Sequence, residues 1–139
     1  MNRIHLLNHV LELIDHSLTC DLTAASLAGR LGYSRSAFDR LFIDVLGDTP
    51  ARHIRSRRML EAAWDLAHTR KRIVDIALDY QFDSQEAFTR AFRRAFDVPP
   101  AQFRKRGEVN PLYPVVTVRP HELQPSRARV VTVWQLRQV

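Results

Sequence analysis

One pattern occurs twice in this chain, and a fold that accommodates it must be built from two copies of one unit. Ser34, Phe38, Arg40 and Phe42 recur fifty residues later as Ser84, Phe88, Arg90 and Phe92. Upstream the offset is forty-nine, with Leu27, Ala28 and Tyr33 answering to Ile76, Ala77 and Phe82. One extra residue in the second turn, Asp83, accounts for the difference. A short apolar helix, a tight turn and a second helix, repeated, are what a duplicated helix-turn-helix requires.

The second copy is the clearer one. In SQEAFTRAFRRAFDVPP the spacing predicts a helix after Ser84, with Phe88, Ala91, Phe92, Ala95 and Phe96 on one face. Glu86, Thr89, Arg90 and Arg93 fall on the other. Ser84 is placed to cap the helix, its side-chain oxygen accepting from free backbone N–H groups. Val98-Pro99-Pro100 closes it, because proline cannot donate a backbone bond and biases its predecessor away from helix. An aromatic spine under a polar, cationic ridge has the shape of a helix that enters a major groove.

From the N-terminus, Ile4, Leu7, Leu11, Ile14 and Leu18 mark a first amphipathic helix. Thr23 caps a second helix that runs to Leu31, with Leu27, Ala28 and Leu31 turned inward. Gly32 supplies the positive φ of the turn and Tyr33 is expected to plug it. Ser34 starts the third helix, which should bury Phe38, Leu41, Phe42 and Val45, and Gly47 stops it. Thr49-Pro50 opens a fourth, as cap and first residue, extending to about His68. Its apolar residues lie on two sides, Ile54, Met59, Ala62 and Leu66 on one and Leu60, Trp64 and Ala67 on another, as in a strut wedged between two subdomains. A fifth helix spans Ile73 to Tyr80, and Pro99-Pro100 opens a last short one ending in Arg104-Lys105-Arg106. After Gly107 the composition changes. Four prolines punctuate two β-like runs, Val115 to Arg119 and Arg129 to Leu136, which are read as a hairpin docked on the second subdomain or as the remnant of a further domain.

The chain has 139 residues, 45% of them hydrophobic, and a formal charge of +6. That length suits one domain, or two very small ones sharing a core. Only Lys71 and Lys105 are lysine; the other basic residues are arginine, which favours bidentate contact with phosphate or guanine. The single Cys20 allows neither an internal disulfide nor a thiolate zinc cluster, and the six histidines are scattered without ligand spacing. No run approaches the roughly 18 apolar residues of a membrane span, and the N-terminal apolar stretch is broken by His5, Asn8, His9 and Glu12. No catalytic grouping, P-loop or dinucleotide motif can be argued. The expectation is a cytoplasmic protein that is not an enzyme and uses no metal or cofactor.

The runs GYSRSAFDRLF, IRSRRM and DIALDYQFDSQEAFTRAFRRAFDVPP, with the spacing between them, resemble the AraC/XylS-type transcription regulators, and within them the MarA, SoxS and Rob group. The resemblance covers about Ile4 to Arg106. It implies an all-α reading unit, residues 1–106, made of a first helix-turn-helix subdomain (1–48), a linker helix (49–68) and a second subdomain (69–106), followed by a tail (107–139). It further implies activation of transcription through RNA polymerase, with a monomer bound to double-stranded DNA in adjacent major grooves. The family's base-reading positions fall on Ser36, Asp39, Arg40, Gln85, Glu86, Thr89 and Arg90.

Phosphate contacts are expected of Arg35, Arg93, Arg94, Arg104 and Arg106. A lone exposed arginine is usually only solvated surface; the recurrence of Arg40 as Arg90 tips the balance toward contact with DNA. Glu86 has three readings: acceptance from a cytosine amino group, a pair with Arg90 that orients it, or complement to the positive end of its helix. Arg52, Arg55, Arg57 and Arg58 are open to phosphate or partner-protein contact, or to ion pairs with Asp48 or Glu61.

Three departures from the family pattern stand out. Close relatives have a large aromatic in place of Ser36, a glutamine in place of Asp39 and a glycine in place of Gln81. The first two weaken the first reading head, and a module that binds RNA polymerase or another protein with little DNA readout is the alternative function. The third obliges the second turn to avoid or tolerate a strained backbone.

Overall fold

The computed structural model describes residues 2–106 in full and the backbone of 112–121 and 124–136. Seven helices account for the first part: α1 Arg3–Asp15, α2 Ala24–Arg30, α3 Arg35–Leu46, α4 Pro50–His68, α5 Ile73–Asp79, α6 Gln85–Phe96 and α7 Pro100–Arg106. Local chemistry sets most of their ends. Thr23, Ser34, Thr49 and Ser84 each accept from a backbone N–H three residues on, and Thr23 and Ser26 form a reciprocal capping box. Gly47 ends α3 at φ 75°, and at the equivalent point after α6 Asp97 takes φ 64°. Aspartate is among the few residues other than glycine that enter this left-handed region readily. The stop of α6 is therefore at Asp97, ahead of the prolines.

The two turns are built alike. Tyr33 donates its N–H to Ala28 and Phe82 to Ala77, both at 3.0 Å, so each first helix ends in the same six-residue closure. Gly32 occupies the left-handed position of the first turn at φ 73°, and Gln81 that of the second at φ 70°. The second turn thus tolerates strain that costs a residue with a side chain on the order of 1 kcal/mol or more.

A continuous apolar core joins both units, with Phe38, Phe42, Phe88 and Phe92 all fully buried. Ring contacts at 5.5 Å (Phe38–Phe42) and 5.6 Å (Phe88–Phe92) repeat the centroid spacing in each copy, at interplanar angles of 67° and 53°. Alongside them lie Leu7, Ile14, Leu27, Ile54, Leu66 and Ile76. Leu18 is buried too, in the turn after α1 and not on the helix itself.

The copies differ where their neighbours differ. Phe82 is half-buried with its ring 5.2 Å from Phe88, whereas Tyr33 is 38% exposed and does not plug its turn. Its hydroxyl keeps its hydrogen bonds in water, whereas Phe82 gains only from burial. Ala95 is exposed despite its place on the apolar face, because Phe103 of α7 covers Phe92 and Phe96 and leaves the last turn of α6 open beside them. Val45 and Leu31 are half-buried.

The strut, α4, has 19 residues and so a length of about 28 Å. Only one of its apolar sides, with Ile54, Met59, Ala62 and Leu66, is fully covered; Leu60, Trp64 and Ala67 are half-buried. Trp64 lies flat on His68, ring centroids 3.6 Å apart. Tyr80 donates its hydroxyl to Asp65 at 2.7 Å, which fastens the end of α5 to the strut.

Beyond α7, β1 Leu112–His121 and β2 Gln124–Leu136 pair antiparallel, with Val115 opposite Val133 and Arg119 opposite Arg129. Their backbone runs beside α1, α3 and α4. Docking on the second subdomain was one of two readings the sequence left open; the hairpin backbone lies beside the first subdomain and the strut.

Candidate nucleic-acid interface

Both candidate reading helices start from a serine cap and carry their polar residues on an arc opposite the buried phenylalanines. In α6, Gln85, Glu86 and Arg90 are exposed and Thr89 is half-buried. At 3.6 residues per turn these four positions cover about 140° of the helix surface. In α3 the equivalent places belong to Arg35, Ser36, Asp39 and Arg40, of which only Asp39 is half-buried. Burial of Phe38, Phe42, Phe88 and Phe92 on the reverse side prevents rotation of either helix, so each arc faces outward by default.

The electrostatics of the two heads differ. Arg35 donates from Nε to Asp39 at 3.1 Å, an ion pair of i,i+4 spacing on the outer face of α3. Asp39 is therefore neutralised in part by its own helix, and Arg35 is occupied. No such pair exists on α6 among the described residues. Glu86 stands in its first turn, where a carboxylate complements the helix dipole, and Arg93 and Arg94 stand in its last, where cations do. Arg90, Arg93, Arg94 and Asp97 line an open cleft of about 790 Å³. A second groove, about 290 Å³, is lined by Thr23, Arg35, Arg55 and Arg58 among others.

Of the expected phosphate residues, Arg35, Arg93, Arg94 and Arg106 are exposed. Arg104 is not free in the same way. It is half-buried, and its Nε donates to the Leu66 carbonyl at 3.0 Å in the last turn of the strut. Burial of its Nη2 further withdraws the guanidinium from the surface. Its place is that of a helix-end brace.

The strut arginines divide in the same way. Arg52 pairs with Asp48 at 3.6 Å and Arg55 is exposed. Arg57 is 3% exposed and bridges Asp15 of α1 at 2.8 Å and Glu61 at 3.4 Å. Arg58 donates to the carbonyls of Leu18, Cys20 and Leu22 in the loop between α1 and α2. Burial holds its pKa below the ordinary arginine value, with Asp21 the main opposing influence. Sequence reasoning left Arg57 and Arg58 open between phosphate or partner-protein contact and helical ion pairs. A signal for Arg57 existed, since it follows Ile54 by one helical turn and so shares the buried stripe.

Among the described residues no group of three His, Cys, Asp or Glu is placed to hold a metal ion, and no helix is long and apolar enough to cross a membrane.

A family model described as a helix-turn-helix domain matches residues 27–106. The Tn10 TetD protein of Escherichia coli is 46% identical over 96 residues, 69% of this chain and 70% of that protein. SoxS of Salmonella typhimurium is 37% identical over 106 residues, 76% of this chain and 99% of SoxS. The chain belongs to the AraC-type family of helix-turn-helix transcription regulators. The transcriptional regulator Rob of Salmonella typhimurium is also 37% identical, over 78% of this chain, but the match spans only 37% of Rob. The DNA-binding domain of AdpA, solved in complex with a target DNA, superposes with a TM-score of 0.68 at 28% identity, over 72% of this chain and 90% of that one. The duplicated helix-turn-helix expected from the repeat, and the AraC-type fold implied by the resemblance, are thus the fold observed.

Proposed function

We propose that this AraC-type regulator reads double-stranded DNA as a monomer, with α3 and α6 in successive major grooves on one face of the duplex, and that it activates transcription through contact with RNA polymerase in the cytoplasm. The observation that carries this reading is the duplication itself. Two capped helices present Ser36, Asp39 and Arg40 in one copy and Gln85, Glu86, Thr89 and Arg90 in the other, on arcs held outward by buried phenylalanines. One chain then supplies both recognition helices that a dimeric repressor takes from two, for grooves that recur every ~34–36 Å. Arg93, Arg94 and Arg106 serve the phosphates, Arg35 being held by Asp39, and base edges are left to the arcs. Residues 1–106 form the reading unit, with subdomains 1–48 and 69–106 on either side of the 49–68 linker; residues 107–139 are a separate tail.

Selection of bound duplexes from a random pool tests this directly. The expected result is two short information-rich blocks about one helical turn apart, without internal symmetry. A palindrome that requires two chains, or a single block, would overturn it. The Arg35–Asp39 pair supports a second reading, in which the first head reads little and the chain serves chiefly as a protein-binding module. That reading predicts equal affinity for cognate and random duplex at every salt concentration.

A further inference from the structure

The turn of the second head departs from glycine and gains something by it. Gly32 and Gln81 hold the same left-handed position in the two copies, at φ 73° and φ 70°. The first turn makes no use of a side chain there. In the second, Gln81 Nε2 donates to the carbonyl of Thr19 at 2.9 Å, sixty-two residues away in the loop between α1 and α2. Arg58 of the strut holds the carbonyls of Leu18, Cys20 and Leu22 in that same loop, at 2.9, 2.9 and 3.3 Å. Four carbonyls of one short loop of the first head are therefore held by side chains, three by Arg58 of the linker and one by Gln81 of the second head's turn.

We propose that Gln81 is a positioning residue that ties the second head to the first and thereby fixes the spacing between the two sets of bases read. A residue with a side chain in the left-handed region is strained, so a glycine would be the unstrained choice. Here the strained residue is the one that crosses between subdomains. Its backbone lies at the turn immediately before α6, so movement of the turn moves the arc of Gln85, Glu86, Thr89 and Arg90 as a body. Arg58 makes the far end of the tether stiff: the Thr19 carbonyl is part of a loop already clamped to α4. With both ends fixed, one hydrogen bond restricts the angle between heads that share only the strut and the core.

This inference rests on the two-headed reading of DNA, and the test separates the two. Gln81→Gly removes the tether and the strain together. Gln81→Asn keeps a residue that tolerates the left-handed region but is one methylene too short to reach Thr19. For each protein, affinity is measured for the selected duplex and for versions with one base pair added or removed between the blocks. Such a change moves the second block by about 3.4 Å and turns it by about 35°. The wild type should lose roughly tenfold or more, as for a mismatched base pair. In both variants the loss should fall to about threefold or less, with a weaker optimum. In the absence of DNA, residual dipolar couplings from the two subdomains should fit one alignment tensor in the wild type and two in both variants.

An unchanged spacing penalty, or a single tensor in both variants, overturns the proposal. A change in Gln81→Gly alone also overturns it, because backbone freedom and not the bond would be responsible. If the wild type selects no duplex, the DNA reading fails by itself and takes the spacing claim with it, while the couplings still report whether Gln81 joins the heads.

Discussion

Asp39 offers the sharpest test of how the first head meets DNA. Its carboxylate accepts from Arg35 at 3.1 Å, with side chains 29% and 50% exposed respectively. Exposed i,i+4 pairs contribute about 0.3–0.5 kcal/mol, so Asp39→Gln should leave the melting temperature nearly unchanged. Its effect on DNA should be larger. The substitution deletes a charge that repels phosphate and releases Arg35 to neutralise one. Each phosphate neutralised adds about 0.9 to the magnitude of the slope of log K against log salt. Between about 50 and 200 mM salt, that extra slope alone changes the ratio of variant to wild-type affinity by roughly 3.5-fold. Fluorescence anisotropy on one duplex over a salt series gives both slopes, and a random duplex should show the same steepening. Arg35→Ala should then matter more in the Asp39→Gln background than in the wild type, a non-additivity that isolates the pair. Parallel salt plots for wild type and Asp39→Gln would refute the reasoning, since they would mean that Arg35 gains no phosphate when released.

Other outcomes follow from the same geometry. Arg90→Ala should cost about 1–3 kcal/mol of binding and relax preference at one base position, as read by competition among operator variants; a uniform loss over all variants would assign Arg90 to phosphate. Arg57→Ala strands the carboxylate of Asp15 against the strut and should lower unfolding stability by about 3 kcal/mol in urea, near the low edge for a broken buried pair because Asp15 is 25% exposed; a loss below about 1 kcal/mol would show the network to be dispensable. His53, whose ring centroid lies 5.7 Å from Phe42, has its pKa lowered by burial and by Arg57, against the opposing pull of Asp15 and Asp48. The unfolded chain therefore takes up a proton first as pH falls through about 6.5, and stability should decline below that pH until folded His53 also protonates. The slope due to one group cannot exceed ~1.4 kcal/mol per pH unit, and His53→Gln should flatten the melting temperature over pH 7.5 to 5.5 relative to wild type, to be read by circular dichroism at roughly half-unit steps.

Local sequence is enough to specify the duplicated helices, their caps and the faces they bury. Ser34 and Ser84 cap because a hydroxyl at that position reaches an N–H three residues on, whatever lies elsewhere in the chain. Phe38, Phe42, Phe88 and Phe92 are inside because helical periodicity leaves them no other common face. The outward arcs of α3 and α6 follow from the same periodicity, while the choice of base-reading positions on them rests on the resemblance to the AraC-type family. What the long polar side chains do is settled at the tertiary level. Arg57, Arg58 and Arg104 could each have served DNA, solvent or protein; their flexible stems reach several partners, and the fold brought Asp15, the Leu18–Leu22 loop and the Leu66 carbonyl within range. Tyr33 and Phe82 occupy equivalent places and differ in burial, because equal local patterns meet unequal neighbours. Gln81 combines both levels: its strained turn was written in the substitution for glycine, but its partner sixty-two residues away was not, since a hydrogen bond between distant segments exists only once packing has brought their backbones together.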